Sequence, residues 1–433
     1  MKESRFNLYF NAPDGTRLAF NSLSCALAVV DADYQALLEV LPSGEVPDRL
    51  ADVFAAARKG NFVIDADKDE VLAYETKRAA QKFSTTSLGL TIAPTLDCNF
   101  RCVYCYETRK KGRMSAETQQ NIVKFVKDRI NGLKRVEVTW YGGEPLLCMD
   151  IIKSLSKDIR ETCEKEGVPY HAFIITNGYL LTPEIIADFK GCAITGAQIT
   201  IDGPREIHEA RRINRNGKSS FDTILDNVNM ALEHGMEIII RVNVDRSNEA
   251  AVDALIDELS RRLVSKEVKI TFGQVSAYTE ACRGIESACY SNNDFAGKML
   301  EYYRILEQHG FGASNKFPYP FVKLSYCCAE QLLSFVIDPD GAMYKCWNDV
   351  GHCESAVGNV NDLRQDVAND KCGRWLCRTL PGKCKCCSIL PICAGGCPHV
   401  TNVLGKDNAC DYVKYNIEAI MLEYYEKFLH AGS

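Results

Sequence analysis

Apolar positions in this chain follow two alternating periods. Short runs rich in β-branched and aromatic residues at 88–93, 135–140, 171–175, 197–201, 236–244 and 267–275 predict strands. Helical patterns separate them. From Ser115 to Ile130, residues Ile122, Phe125, Val126 and Ile130 share one helical face. Thr182-Pro183-Glu184 opens another helix with a capping hydroxyl and a proline in the first turn. Ser220 to His234 is closed by Gly235, and a helix over 293–309 stops at Gly310. Six strand–helix units predict an α/β fold with a parallel sheet, either open or curled into a partial barrel.

Both flanks read differently. In residues 1–84, Phe6–Phe10 and Arg17–Phe20 alternate as strands around an Asp14-Gly15 turn. Helices near 32–41 and 48–58 follow, then a returning strand at 60–64 and a polar connector at 75–86. This predicts a small α+β module ahead of the central unit at 85–312. Beyond 313 the periodicity fades, and 384–397 holds five cysteines in fourteen residues. A stretch so poor in apolar periodicity needs a staple, which bound metal supplies. A closing helix is expected over 413–429, within a third unit at 313–433.

The 433 residues are 46% hydrophobic and 25% charged, as in a soluble globular protein. A net charge of −6 gives no electrostatic case for nucleic acid or an anionic membrane as main partner. No apolar run reaches the ~18 residues of a spanning helix. The start, Met1-Lys-Glu-Ser-Arg-Phe, lacks the apolar core of a secretion signal. Twenty-one cysteines, an odd number, in a chain of this size point to metal-bound thiolates in a reducing, cytoplasmic setting rather than to a disulfide framework.

Ten cysteines fall into two patterns. The first is Cys98-x3-Cys102-x2-Cys105. The second runs Cys328-x12-Gly341-x4-Cys346, then Cys384-x2-Cys387-x5-Cys393-x3-Cys397, and ends at Cys410. Thiolate is a soft ligand that selects iron–sulfur clusters, zinc or Cu(I). Three thiolates leave one position of a cubane cluster open, and an open iron can bind substrate. In a β/α barrel, sites gather at the C-terminal ends of the strands. The three-cysteine loop stands at the first such end, Tyr141-Gly-Gly-Glu-Pro145 at the second, Thr176-Asn177-Gly178 at the third, and Asp202-Gly203-Pro204 at the fourth, with Arg212 close behind. Each alone could be only a turn; four at matching ends predict one pocket. None of the seven histidines has metal-ligand spacing, and His171 and His208 read as structural.

The loop Asp97-Cys-Asn-Phe-Arg-Cys-Val-Tyr-Cys-Tyr-Glu107 resembles the signature of the radical S-adenosylmethionine (SAM) superfamily, with aromatic Tyr104 before the last cysteine. The resemblance implies a partial (β/α)6 TIM-like barrel. It implies a [4Fe–4S] cluster on Cys98, Cys102 and Cys105, whose open iron holds SAM. Gly142, Gly143 and Glu144 would receive the methionine ammonium, and Thr176 and Asn177 would lie near the ribose. Thr200 and Arg212, with Arg241 as a further candidate, would meet the methionine carboxylate. The cluster would reductively cleave SAM to methionine and a 5′-deoxyadenosyl radical, which takes hydrogen from an unactivated carbon. The electron would come from a donor such as flavodoxin or ferredoxin.

The second cysteine pattern resembles the SPASM extension of these enzymes, which implies two auxiliary [4Fe–4S] clusters and three in all. By resemblance, Cys384, Cys387, Cys393 and Cys410 hold the distal cluster, and Cys328, Cys346 and Cys397 the proximal one. Cys353 is a candidate fourth ligand, an open iron is the alternative, and Cys327 could replace Cys328. Zinc is the competing occupant. The family resemblance implies a peptide or protein substrate. The N-terminal module would then be a winged-helix-like unit able to pair with a precursor's leader along a strand edge, or a structural cap. The segment Tyr344-Lys-Cys-Trp-Asn-Asp349 is similar to maturases that form cysteine thioether cross-links. The alternatives are an anaerobic sulfatase maturase forming formylglycine, a peptide epimerase, a carbon–carbon cross-linking enzyme, or a non-catalytic electron carrier. The sulfatase family carries an aspartate base right after the cysteine corresponding to Cys346, where Trp347 stands here, with Asp349 two places on.

Overall fold

A computed structural model describes residues 1–362, 366–407 and 409–430. Sixteen strands are named in chain order: β1 (Lys2–Glu3), β2 (Asn7–Asn11), β3 (Arg17–Asn21), β4 (Ala26–Val30), β5 (Val63–Ile64), β6 (Ser87–Ile92), β7 (Phe100–Cys102), β8 (Arg135–Trp140), β9 (Tyr170–Thr176), β10 (Ile194–Thr200), β11 (Arg212–Asn214), β12 (Glu237–Val244), β13 (Lys269–Gln274), β14 (Ser334–Ile337), β15 (Ala342–Tyr344) and β16 (Gly358–Asn359). Among the described residues, nine form one sheet in the order β13-β12-β10-β9-β8-β6-β14-β15-β16. The run from β13 to β6 is parallel throughout, so the six strands expected from the alternation form the curled sheet of a partial barrel. The sheet then continues into the cysteine-rich region. β14 pairs with β6 in parallel, and β15 and β16 add antiparallel strands.

The period-two rule explains why this sheet encloses a polar interior. In β12, Ile238, Ile240, Val242 and Val244 are buried in the main apolar core, while Arg241 and Asn243 lie on the alternate face. Gln198 on β10 shares that inner face with them. Amphipathic helices cover the outside; Met149–Lys165 buries Ile151, Ile152, Leu155 and Ile159.

The N-terminal residues form the three-stranded meander β2-β3-β4. β4, with its uniformly apolar Ala-Leu-Ala-Val-Val, carries no alternation and is not predicted from the sequence. The short strand β5 pairs with β1 instead of returning to the hairpin.

The expected polar connector at 75–86 needs the larger correction: Glu70–Lys82 is a helix, capped by Asp69, whose carboxylate accepts from the Leu72 amide. Its buried face is Glu70, Tyr74, Arg78 and Lys82, spaced four apart and almost wholly polar, so hydrophobic periodicity cannot reveal it. Glu70 accepts from the Ser4 hydroxyl at 2.7 Å and the Arg5 amide at 3.0 Å. The Tyr74 hydroxyl donates to the Lys323 carbonyl at 2.6 Å. Arg78 and Lys82 reach the fully buried carboxylate of Glu330 at 3.4 and 2.9 Å, and Arg378 joins them at 3.2 Å. At the other end of the chain, the helix Val413–Tyr424 packs Ile417, Ile420 and Met421 into one core with Phe10, Leu18 and Phe20.

Burial alone would raise the proton affinity of Glu330, but Arg378 and Lys82 more than offset it and hold the carboxyl below its ordinary value of 4.5. Its stabilising contribution is therefore complete above that value and is lost as pH falls through the depressed one. Glu330→Ala strands three buried cations and is expected to cost about 3–5 kcal/mol, read as a lower urea midpoint at neutral pH. The difference from the parent protein should shrink in acid.

Candidate active site

The three-cysteine loop leaves the top of β6 and is fixed from two sides. β7 pairs antiparallel with β11, setting Cys102 opposite Arg212 and Phe100 opposite Asn214. On the other side the glycine turn after β8 lies directly on the loop, where the Gly143 amide donates to the Thr95 carbonyl at 3.2 Å and the Glu144 amide to the Asp97 carbonyl at 2.9 Å. This approach demands glycine. Gly142 has φ +116°, and a Cβ on Gly143 would lie 2.3 Å from the Asp97 carbonyl oxygen.

Cys98, Cys102 and Cys105 open onto a cavity of about 490 Å³ at the C-terminal ends of the strands. Tyr104, Gly142, Gly143, Thr176, Asn177, Thr200, Arg212 and Arg241 also line it, so these sequence-derived candidates share one space. Glu144 does not line the cavity. It is fully buried behind the wall, where its carboxylate accepts from the Thr176 hydroxyl at 2.7 Å and the Asn177 amide at 2.8 Å. It therefore holds the Thr176-Asn177 turn in place. Asn177 in turn donates to Asn99 beside Cys98 at 2.7 Å.

The two arginines differ. Arg212 donates to the Tyr104 hydroxyl at 2.6 Å and stands 4.0 Å from Asp202, leaving its Nε buried without a partner. Arg241 has no carboxylate within ion-pair distance among the described residues, and its Nε donates to Asn243 at 3.1 Å. Gly273 makes room for it, since a Cβ there would fall 1.8 Å from the guanidinium. A buried Arg212 and a half-buried Arg241, both with unused donors, suit an anionic ligand.

Sequence reasoning missed Glu107 as a functional group. Among the described residues it is the one carboxylate on the cavity wall, and its Oε2 is buried without a hydrogen-bond partner. Burial pushes it up to about 7, although the Tyr141 hydroxyl bonds to it. Its place inside the cysteine motif was visible; its orientation was not. Trp347 and Asn348 form the wall on the cysteine-rich side, with the Trp347 ring 4.5 Å from that of Tyr141. Asp349 does not line the cavity.

The second cysteine set splits in two. Cys384, Cys387, Cys393 and Cys410 surround a small space of about 60 Å³, with Lys414 Nζ 3.7 Å from the Cys410 sulfur. Burial, with nearby Asp349, Cys327 and Cys397, pushes the Cys346 thiol well above its ordinary value, so three sulfurs share one locale. Two expectations change here. Cys327, in extended backbone, neighbours Cys346 and Cys397, whereas Cys328 opens the short helical turn Cys328–Glu330 and neighbours Lys345. Cys353 is exposed on the turn Cys353–Ser355, its sulfur 3.8 Å from Glu354, outside that group.

Residues 92–259 match the radical SAM superfamily. The chain is a radical SAM enzyme. It is 23% identical over 332 residues to a serine-type anaerobic sulfatase-maturating enzyme of Klebsiella aerogenes, covering 72% of this chain and 80% of that protein. It is 25% identical over 335 residues to the mycofactocin maturase MftC of Mycolicibacterium smegmatis, covering 71% and 77%. Its fold is similar to that of native anSMEcpe with bound AdoMet, at a TM-score of 0.63, 19% identity and coverage of 80% and 98%. It is also similar to Streptococcus suis SuiB bound to precursor peptide SuiA, at a TM-score of 0.52, 15% identity and coverage of 95% and 98%.

The donor set of this radical SAM enzyme fits an iron–sulfur cluster. Burial pushes Cys98 and Cys105 up to about 12, so without a cation these thiols hold their protons. A bound iron core is what makes thiolates of such groups. Among the described residues, no helix is long and apolar enough to cross a membrane.

The contact between the glycine turn and the cysteine loop is directly testable. Gly143→Ala must displace the Asp97 backbone beside Cys98, and a shift of about 1 Å in a catalytic loop costs on the order of 100-fold in rate. 5′-Deoxyadenosine formation, followed by chromatography under anaerobic reduction, should fall by that amount while the thermal midpoint changes little.

Proposed function

We propose that this radical SAM enzyme is a peptide maturase that installs a thioether cross-link from a cysteine of a ribosomally made precursor. The observation that carries the reading is the shape of the cavity. One wall is Cys98, Cys102 and Cys105; the facing wall is Trp347 and Asn348, next to Cys346 of the second cysteine set. A substrate segment between them would meet a hydrogen-abstracting centre on one side and an electron acceptor on the other. The sulfatase-maturating and mycofactocin relatives, and a similar fold that binds a precursor peptide, support a peptide or protein substrate.

When bound, the reduced cluster with SAM supplies the 5′-deoxyadenosyl radical. The chain's residues do the rest. Cys98, Cys102 and Cys105 hold that cluster, and the backbone at Gly142 and Gly143 receives the methionine ammonium. Arg212 and Arg241, with Thr200, present donors to the methionine carboxylate, and Thr176 and Asn177 stand at the ribose. Tyr104 fixes the Arg212 guanidinium between itself and Asp202. Glu107 accepts the proton that the substrate thiol must lose before sulfur bonds to carbon. Cys384, Cys387, Cys393 and Cys410 hold one auxiliary cluster, and Cys327, Cys346 and Cys397 hold the other. Flavodoxin or ferredoxin supplies the priming electron. The N-terminal meander offers the edge of β4, with Val29 exposed, to a leader segment.

The second reading, oxidation of a Cys or Ser to formylglycine, is favoured by the sulfatase-maturating relatives and also by Glu107, which stands in the cavity where Asp349 does not. The two are separated by their products. With SAM and reductant, a cysteine-containing precursor should lose two hydrogens and keep its sulfur in a thiol-unreactive form, whereas a sulfatase-derived peptide should gain a hydrazine-reactive aldehyde. Absence of 5′-deoxyadenosine above a Cys98→Ala control sinks both. Glu107→Gln should still cleave SAM but slow product formation by about 10²-fold or more, measured by mass spectrometry of the peptide.

A further inference from the structure

His399 is a buried histidine that the proposed chemistry does not use. It lies on the helix Pro398–Asn402, is 3% exposed, and neither ring nitrogen has a hydrogen-bond partner. A buried imidazole without partners calls for an explanation. His208 also lacks partners, but it packs against the Phe221 ring, 5.7 Å between centroids, beside no ligand group. The surroundings of His399 are different. One of its ring nitrogens, a carboxylate oxygen of Asp349 and the Cys346 sulfur lie within 4.8 Å of one another. Nδ1 is 3.5 Å from the Asp349 oxygen, too long for a hydrogen bond but on the side that would orient the ring. Cys346 in turn has Cys327 and Cys397 as neighbours, and Cys397 is only two residues before His399.

We propose that His399 is the fourth ligand of the cluster site formed by Cys327, Cys346 and Cys397. One ring nitrogen would ligate, and Asp349, 3.5 Å from Nδ1, would steady the ring. This inference rests on the proposal that these cysteines hold an auxiliary cluster. A metal-bound imidazole with a carboxylate on its other nitrogen is a recurrent arrangement, because the carboxylate fixes both tautomer and orientation. Spacing along the chain could not suggest it, since the donors come from residues 346, 349 and 399. Cys353, the sequence-derived candidate, has its sulfur beside Glu354 on the turn Cys353–Ser355 and is not among the groups acting on Cys346. A neutral nitrogen in place of a thiolate leaves the cluster less negative and raises its reduction potential. That suits a centre that accepts an electron from a substrate radical across the Trp347 wall.

The test uses the full chain carrying Cys98→Ala, Cys102→Ala and Cys105→Ala, reconstituted anaerobically with iron and sulfide and kept free of SAM. Pulsed electron paramagnetic resonance of the reduced protein should show an imidazole nitrogen coupling that responds to isotopic labelling of histidine. His399→Ala should abolish the coupling. His399→Cys should keep the iron content and lower the potential of one cluster, which keeps the test decisive if the alanine variant loads poorly. Cys353→Ala should change neither iron content nor coupling. Absence of the coupling, its survival in His399→Ala, or loss of iron in Cys353→Ala overturns the assignment while leaving the auxiliary clusters standing. A chain that takes up zinc, or no iron, in this background overturns the auxiliary-cluster reading as well.

Discussion

One buried carboxylate locks the N-terminal region to the cysteine-rich region. Glu330 has no exposed surface and is approached by Arg78 and Lys82 from the helix Glu70–Lys82 and by Arg378 from the cysteine-rich region. A lone buried anion, or any of these cations alone, would be strongly destabilising. Together they are compatible with burial only in this one arrangement. Apolar packing tolerates sliding, because the hydrophobic effect is non-directional. A charge set of this kind does not, so the helix is fixed in rotation and translation against the C-terminal region. Arg78 and Arg378 also both donate to the Ala394 carbonyl, at 3.2 Å each, immediately after Cys393. The electrostatic anchor and the distal cysteine set are thus parts of one local structure.

The cavity depends on a second constraint, the alternation of side chains along parallel strands. The same strand that buries Ile240 and Val242 under its covering helices must turn Arg241 and Asn243 to the opposite face. A curled sheet makes that face an enclosed, polar interior. The helices supply the apolar cover, and the loops at the strand ends need only be held close. Glu144 does this for the Thr176-Asn177 turn, and the β7–β11 pairing does it for the cysteine loop.

Much of this was legible in the sequence wherever the signal was local. The six strands, the cap at Thr182, the helix start at Ser115, and the motifs at successive strand ends depend on neighbours a few residues away. What escaped depends on pairing across long separations. The helix Glu70–Lys82 buries Arg78 and Lys82, whose carboxylate partner Glu330 lies about 250 residues on, so it reads as solvent-facing. β14 is too short to declare itself and becomes a strand because β6 offers it an edge. The pattern of cysteines indicated that one of Cys327 and Cys328 is used, but the two are told apart only where extended backbone at Cys327 turns into the short helical turn that begins at Cys328. His399 had no spacing signal because its neighbours come from a different segment.

The closing helix has a consequence for how the chain is made. Ile417, Ile420 and Met421 complete the core of a sheet whose strands lie about 400 residues earlier in the chain, and Tyr425 donates to Asp14 at 2.7 Å. The N-terminal meander therefore waits, with Phe10, Leu18 and Phe20 without this cover, until residues 417–421 have been made. Contacts of such long sequence separation form late and leave apolar surface open meanwhile. Cys410, the last of the clustered thiols, emerges at nearly the same moment as that helix. Completion of this core and completion of the second cysteine set thus fall together.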